Sequence, residues 1–123
     1  MKKVSGSADH MREQIIAAIR RIPQGKVSTY GAIARAAGFP GAARRVAWLL
    51  HRSFGLPWQR VVGSGGEIKL RGDSAIEQRL RLEAEGVTFR GRRVNMKQHE
   101  FKFAKKSAGS IRTRQSGRAK RVR

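Results

Sequence analysis

The stretch STYGAIARAAGFPGAARRVAWLLHR, residues 28–52, decides the fold. Ser28 or Thr29 offers a hydroxyl to cap the first free N–H groups of a helix, which then runs through Tyr30, Ile33, Ala34 and Ala37. Gly38 is a natural C-terminal stop, and Phe39-Pro40 makes the turn. A further helix spans roughly Gly41 to Arg52, with Ala43, Val46, Ala47 and Leu50 expected on its buried stripe. Its other face carries Arg44, Arg45, Trp48, His51 and Arg52. Two short helices around a glycine-containing turn, the second with a basic face, are the outline of a helix-turn-helix. Many alanine-rich helix pairs share that outline and bind nothing, so the pair alone leaves the function open.

Charge narrows it. The 123 residues hold 28 Lys plus Arg against 8 Asp plus Glu, a formal charge of +20. That excess goes far beyond what solubility requires and points to a polyanionic partner. Residues 1–101 carry 19 basic residues and all 8 acidic ones, whereas residues 102–123 carry 9 basic residues and no acid. The latter stretch is rich in Ser, Gly, Lys and Arg and poor in large apolar residues. It is therefore expected to be a disordered basic tail that contacts phosphates without sequence preference. The N-terminal residues 1–8 are expected to be flexible, leaving one domain over residues 9–101. No apolar run is long enough for a membrane span, and Val4 to His10 is too polar for a signal peptide. A cytoplasmic protein is expected, nucleoid-associated in a bacterial cell.

Outside the helix pair, Met11, Ile15, Ile16, Ile19 and Ile22 follow helical spacing from Asp9, and Pro23 with Gly25 closes that helix. Lys26 to Ser28 reads as a short extended connection. Gly63 to Gly66 reads as a turn. Ser74 and Glu77 have capping-box spacing and open a helix whose Ile76, Leu80 and Ala84 share a face, with Gly86 as its stop. Val87 to Met96 alternates around Gly91 and predicts a small hairpin. The expected architecture is mainly α with small β elements, a winged-helix-like variant of the helix-turn-helix.

Little in the chain is equipped for chemistry. With no cysteine there is no disulfide, thiolate metal site or cysteine nucleophile. His10, His51 and His99 lack metal-ligand spacing and read as ordinary surface or helix residues. No cofactor is expected, because neither phosphate-loop nor dinucleotide glycine spacing appears. Composition and spacing thus indicate a binding protein and stop there.

At Pro57-Trp58-Gln59-Arg60-Val61-Val62 the chain resembles the DNA-binding domain of the 6-O-alkylguanine-DNA alkyltransferase family, most closely its cysteine-less, alkyltransferase-like branch. The resemblance runs from about Met11 to Phe101. It includes Ile22-Pro23-Gln24-Gly25-Lys26-Val27, Thr29-Tyr30-Gly31, Ala42-Ala43-Arg44, Gly66-Glu67-Ile68 and Leu82-Glu83-Ala84-Glu85-Gly86-Val87. Alkyltransferases carry Pro-Cys-His-Arg at this block, where the cysteine accepts the alkyl group and the histidine generates its thiolate. Trp58 stands at the cysteine position and Gln59 at the histidine position. An indole N–H only donates and an amide is a poor base, so both parts of that reaction are missing.

The resemblance implies a protein that binds duplex DNA in the minor groove and flips 6-O-alkylguanine into a pocket. It implies that Arg44 enters the base stack, while Arg45 and Trp48 on the same helix also meet DNA. Tyr30 would support the rotated backbone at the pocket mouth. Trp58, Gln59, Ile68 and Arg71 would complete the pocket, with Arg71 sensing the flipped base electrostatically. Glu85 would hold a local hydrogen bond to Gln59. The implied partners are alkylated duplex DNA and nucleotide excision repair proteins, met by a monomer. The alternative is an architectural or regulatory DNA-binding protein without lesion preference, which the charge fits equally well.

Overall fold

A computed structural model describes residues 3–104 of the chain. In chain order these form α1 (Lys3–Arg20), β1 (Ser28–Thr29), α2 (Tyr30–Ala36), α3 (Ala43–Arg52), β2 (Val61–Val62), α4 (Gly72–Ala84), β3 (Phe89–Arg90), β4 (Arg93–Val94) and α5 (Met96–His99). The architecture is mainly helical with two small sheets, as the sequence predicts.

Helix α1 starts six residues earlier than the expected Asp9. No proline interrupts residues 3–8, and extending an existing helix adds one hydrogen bond per residue ordered. Its buried stripe is Ile15, Ala18, Ile19 and Ile22, which packs against Ile33 and Ala34 of α2, Val46 and Leu49 of α3, and Leu56 and Val61 beyond. Each fully buried isoleucine contributes roughly 2–3 kcal/mol to this cluster. The Thr29 hydroxyl caps α2 by accepting from the Ala32 N–H at 3.1 Å, and Gly38 follows the helix at φ 94°. A second, smaller cluster gathers Val27, Val62, Leu82, Val87 and Val94.

Strand β1 pairs with β2 in parallel, Ser28 opposite Val61 and Thr29 opposite Val62. Parallel neighbours need a crossover, and α2 with α3 supplies it. This pairing sets the start of α2 beside the Pro57–Val62 block. The hairpin around Gly91 forms as expected, with Phe89 opposite Val94. Gly66 lies at φ 92° and so close to this hairpin that a Cβ there would sit 2.6 Å from the Val94 carbonyl oxygen, so only glycine fits.

Three expectations are corrected. Leu49, not Ala47 or Leu50, joins Val46 as the buried pair of α3; Ala47 is exposed and Leu50 half-buried. The helix is rotated so that this second pair borders a cavity instead. Helix α4 begins at Gly72 without a side-chain cap, and Glu77 bonds Arg81 one turn on rather than closing a capping box. Its inward residues are Gln78 and Leu82, whereas Ile76 and Leu80 are each 61% exposed. Finally, the body continues past Phe101. Phe103 meets Phe101 edge-on with ring centroids 4.9 Å apart, and the Arg21 guanidinium lies 5.0 Å over the Phe103 ring. The remainder of the expected tail, from residue 105, lies outside the described residues.

Candidate nucleic-acid interface

Helix α3 presents Arg44, Arg45, Trp48 and Arg52 outward on one exposed surface. Trp48 is 48% exposed, with Arg45 5.4 Å and Arg52 4.9 Å from its ring centroid. The spacing i−3 and i+4 puts both guanidiniums on the indole within one helical turn. The result is a cationic column with a flat apolar centre, suited to sugar–phosphate backbone.

A cavity of about 380 Å³ opens at the foot of this column. Tyr30, Trp58, Arg71 and Leu70 line it, together with Ala47, Leu50 and His51 of α3 and Ser74 of α4. Tyr30 arrives from the first position of α2, held there by the β1–β2 pairing. Burial pushes its phenol above the usual tyrosine range, so it remains a neutral donor at the cavity wall. Trp58 opens a tight turn in which its backbone N–H donates to the Leu56 carbonyl at 2.7 Å and the Arg60 backbone N–H to the Pro57 carbonyl at 3.0 Å. The Arg81 guanidinium lies 5.4 Å over the Trp58 ring and is itself held by Glu77 at 2.8 Å. The indole is thus half-buried at an opening, not enclosed in the core.

The next two residues point the other way. Gln59 is buried, and its Nε2 donates to Glu85 Oε2 at 2.7 Å. Arg60 Nε donates to Glu85 Oε1 at 3.0 Å, one terminal nitrogen to Oε2 at 3.1 Å, and the other to the Ile22 carbonyl at 2.9 Å. The Gly25 N–H adds a longer bond to Oε1 at 3.4 Å. Burial alone would raise the Glu85 carboxyl. The hydrogen bonds from Arg60, Gln59 and Gly25 and the Arg60 charge outweigh it and hold the group below its ordinary range.

Two further buried groups complete this backing. Gln78 Nε2 donates to the Gln59 carbonyl at 3.1 Å and to the Val61 carbonyl at 2.9 Å, stapling α4 to the turn. His99, expected as an ordinary surface or helix residue, closes α5 and is buried. Its Nε2 accepts the Thr88 N–H at 3.0 Å, which leaves Nδ1 to donate to the Gly25 carbonyl at 3.0 Å.

The cavity therefore unites Tyr30, Trp58 and Arg71 of the expected set. Gln59 lies behind it in the Glu85 network, and Ile68 faces a separate depression of about 780 Å³ beside α4 and the hairpin. Leu70 borders both spaces. Sequence reasoning missed Ala47, Leu50, His51, Leu70 and Ser74 as cavity residues, and Gln78 and His99 as its support. For Gln78 a signal existed: it shares a helix face with Leu82 at i+4.

Fold and site define a class: a helix-turn-helix domain whose second helix roofs an aromatic pocket. Residues 10–87 match the model of the 6-O-methylguanine DNA methyltransferase DNA-binding domain. The chain is 49% identical over 82 residues to a protein of Vibrio parahaemolyticus named DNA base-flipping protein, a match covering 64% of this chain and 82% of that one. It is 48% identical over 84 residues to alkyltransferase-like protein 1 of Schizosaccharomyces pombe, covering 64% and 78%. That yeast protein, solved in complex with damaged DNA containing O6-carboxymethylguanine, superimposes with a TM-score of 0.66 at 35% identity. The match covers 76% of this chain and 96% of that one. A Mycobacterium tuberculosis OGT solved in complex with DNA gives a TM-score of 0.55 at 32% identity, covering 60% and 48%. The chain belongs to the alkyltransferase DNA-binding domain family, on its cysteine-less, alkyltransferase-like branch.

Proposed function

We propose that the chain is a non-enzymatic DNA damage sensor that flips 6-O-alkylguanine out of duplex DNA and holds it in the Trp58 cavity. The observation that carries this reading is the half-buried indole of Trp58 on an open pocket, at the position where family members place a sulfur. A flat ring there grips a purine and its alkyl group, and its nitrogen lone pair is delocalised into the ring and not available to accept that group. Helix α3 lies in the minor groove, with Arg45 and Trp48 on the backbone. Arg44 enters the stack, where its planar guanidinium covers neighbouring bases and donates to the orphaned partner. Tyr30 supports the rotated phosphate, and Arg71 reads the flipped base from the far wall. Gln59 supports the Trp58 wall from behind through Glu85.

Flipping costs a few kcal/mol, and less where alkylation has already weakened pairing, which favours the lesion before any pocket contact is made. Because nothing is removed, the bound complex persists as a mark. We propose that nucleotide excision repair proteins read it, at the DNA, from a monomeric sensor. The decisive experiment compares dissociation constants for matched duplexes with and without 6-O-methylguanine at one salt concentration. Tighter binding to the lesion duplex is expected, with the ratio kept as salt rises and both affinities fall. Equal values would leave only the architectural reading. An alkyl mass gained by the protein after incubation with the lesion duplex would refute the non-enzymatic one.

A further inference from the structure

Phe54 is the most exposed large apolar residue described, at 95% of its free surface. The other four phenylalanines, Phe39, Phe89, Phe101 and Phe103, are all partly buried. Phe54 sits on the tip between Ser53, which ends α3 in extended conformation, and Gly55, which turns the chain at φ 77°. Leu56 then returns to the core. Both ends of the tip are therefore anchored, and among the described residues nothing covers the outward ring. It follows the cationic face of α3 and precedes the Pro57-Trp58 wall of the cavity. From Gln14 to Gly66 the chain holds eight Lys or Arg residues and no acidic one.

A fixed aromatic ring on a cationic surface fits a partner that is anionic outside and apolar within, which describes stacked bases between phosphate strands. Resting on the DNA-binding reading above, we infer that Phe54 is a second wedge, which enters the base stack away from the lesion. Minor-groove proteins use such apolar side chains to unstack a step and kink the duplex. Arg44 opens α3 and Phe54 lies just beyond its end, so at 1.5 Å per residue the two are roughly 15 Å apart. That is about four base steps at 3.4 Å each. Phe54 therefore cannot fill the gap left by the flipped base. It bends the duplex from a flanking step and lowers the cost of flipping at the lesion. Having no donor or charge, it acts independently of salt.

The test uses the full chain and duplexes carrying 2-aminopurine at successive positions on both sides of a 6-O-methylguanine, with a second series lacking the lesion. A fluorescence rise is expected at a position about four steps from the lesion. Phe54→Ala should abolish that signal and weaken binding roughly ten-fold, the loss of one stacked aromatic, without altering the salt slope. Phe54→Leu, a smaller apolar wedge, should retain part of the signal, while Arg44→Ala should spare it. No flanking signal, or an affinity loss in Phe54→Ala with the flanking signal unchanged, overturns the wedge. Equal binding to lesion and undamaged duplexes would instead overturn the sensor reading, with the wedge still judged on the flanking probes.

Discussion

Trp58 and its two successors, Gln59 and Arg60, are adjacent in sequence and opposite in physical character. Trp58 faces an open cavity with polar residues at its rim, and the Arg81 cation lies over its ring. Gln59 and Arg60 face inward, where a single carboxylate receives three of their donors and a backbone N–H. The front borders open space, whereas the back is tied together by hydrogen bonds to one carboxylate. On the proposed function the two halves are separable, one for recognition and the other for rigidity, so each can be disturbed without the other.

The largest expected effect is on the rigid side. Glu85→Ala removes the acceptor shared by Arg60, Gln59 and the Gly25 N–H and leaves the partly buried Arg60 charge unpaired. The expected loss is about 3 kcal/mol of unfolding free energy in urea titrations. The fraction that stays folded should keep its preference for lesion over undamaged duplex. A loss below about 1 kcal/mol would deny the network its structural role.

Arg44→Ala is the converse on the recognition side. It should weaken lesion binding roughly thirty-fold, about 2 kcal/mol, while shifting stability by no more than about 0.5 kcal/mol. Lysine at this position should not restore the loss, because an ammonium cannot stack. A loss equal to that from Arg52→Ala, an exposed arginine on the same helix, would reduce Arg44 to one charge among many.

Acid sharpens the same contrast more gently. A carboxylate depressed by folding stabilises the native state above its unfolded value, about 4.3, and that contribution disappears as pH falls through the folded value. The wild type should therefore lose stability below about pH 4 more steeply than Glu85→Gln, in which nothing titrates at this position. Parallel acid-unfolding curves would contradict the depressed carboxyl.

The helix pair, its glycine stop and the hairpin were legible in the chain, because caps, breakers and period-two alternation are local signals; the Trp58 position rested on the resemblance of its block to the alkyltransferase family. The rotation of α3 and α4 was not. Ala47 and Leu50 match a buried stripe as well as Leu49 does, and the choice between them depends on which residues the cavity leaves uncovered. In α4 the apolar Ile76 and Leu80 outrank Gln78 on any hydrophobic count. Gln78 is nonetheless inside, since two carbonyls of the Trp58 turn would be orphaned without its amide. His99 was hidden for a similar reason: its partners Gly25 and Thr88 are far away in sequence or on another element. A buried polar residue whose purpose is to satisfy distant backbone leaves no periodic trace.

The smallest expected effect tests where front and back meet. Arg81 lies over the Trp58 ring while Glu77 holds it through an exposed pair one turn apart, with contacts of 2.8 and 2.7 Å. Such pairs contribute about 0.3–0.5 kcal/mol, so Glu77→Gln should scarcely change stability. Its consequence is positional. Without the carboxylate, Arg81 is free to leave the indole, and the ring loses the cation that covers one face. In a Trp48→Phe background, where Trp58 is the sole indole, Glu77→Gln should shift Trp58 emission part of the way toward that of Arg81→Ala. If Glu77→Gln matches the parent while Arg81→Ala shifts, the ring attraction holds Arg81 without help. If neither shifts, the cation does not cover the indole in solution, and the front of the site is more open than its geometry indicates.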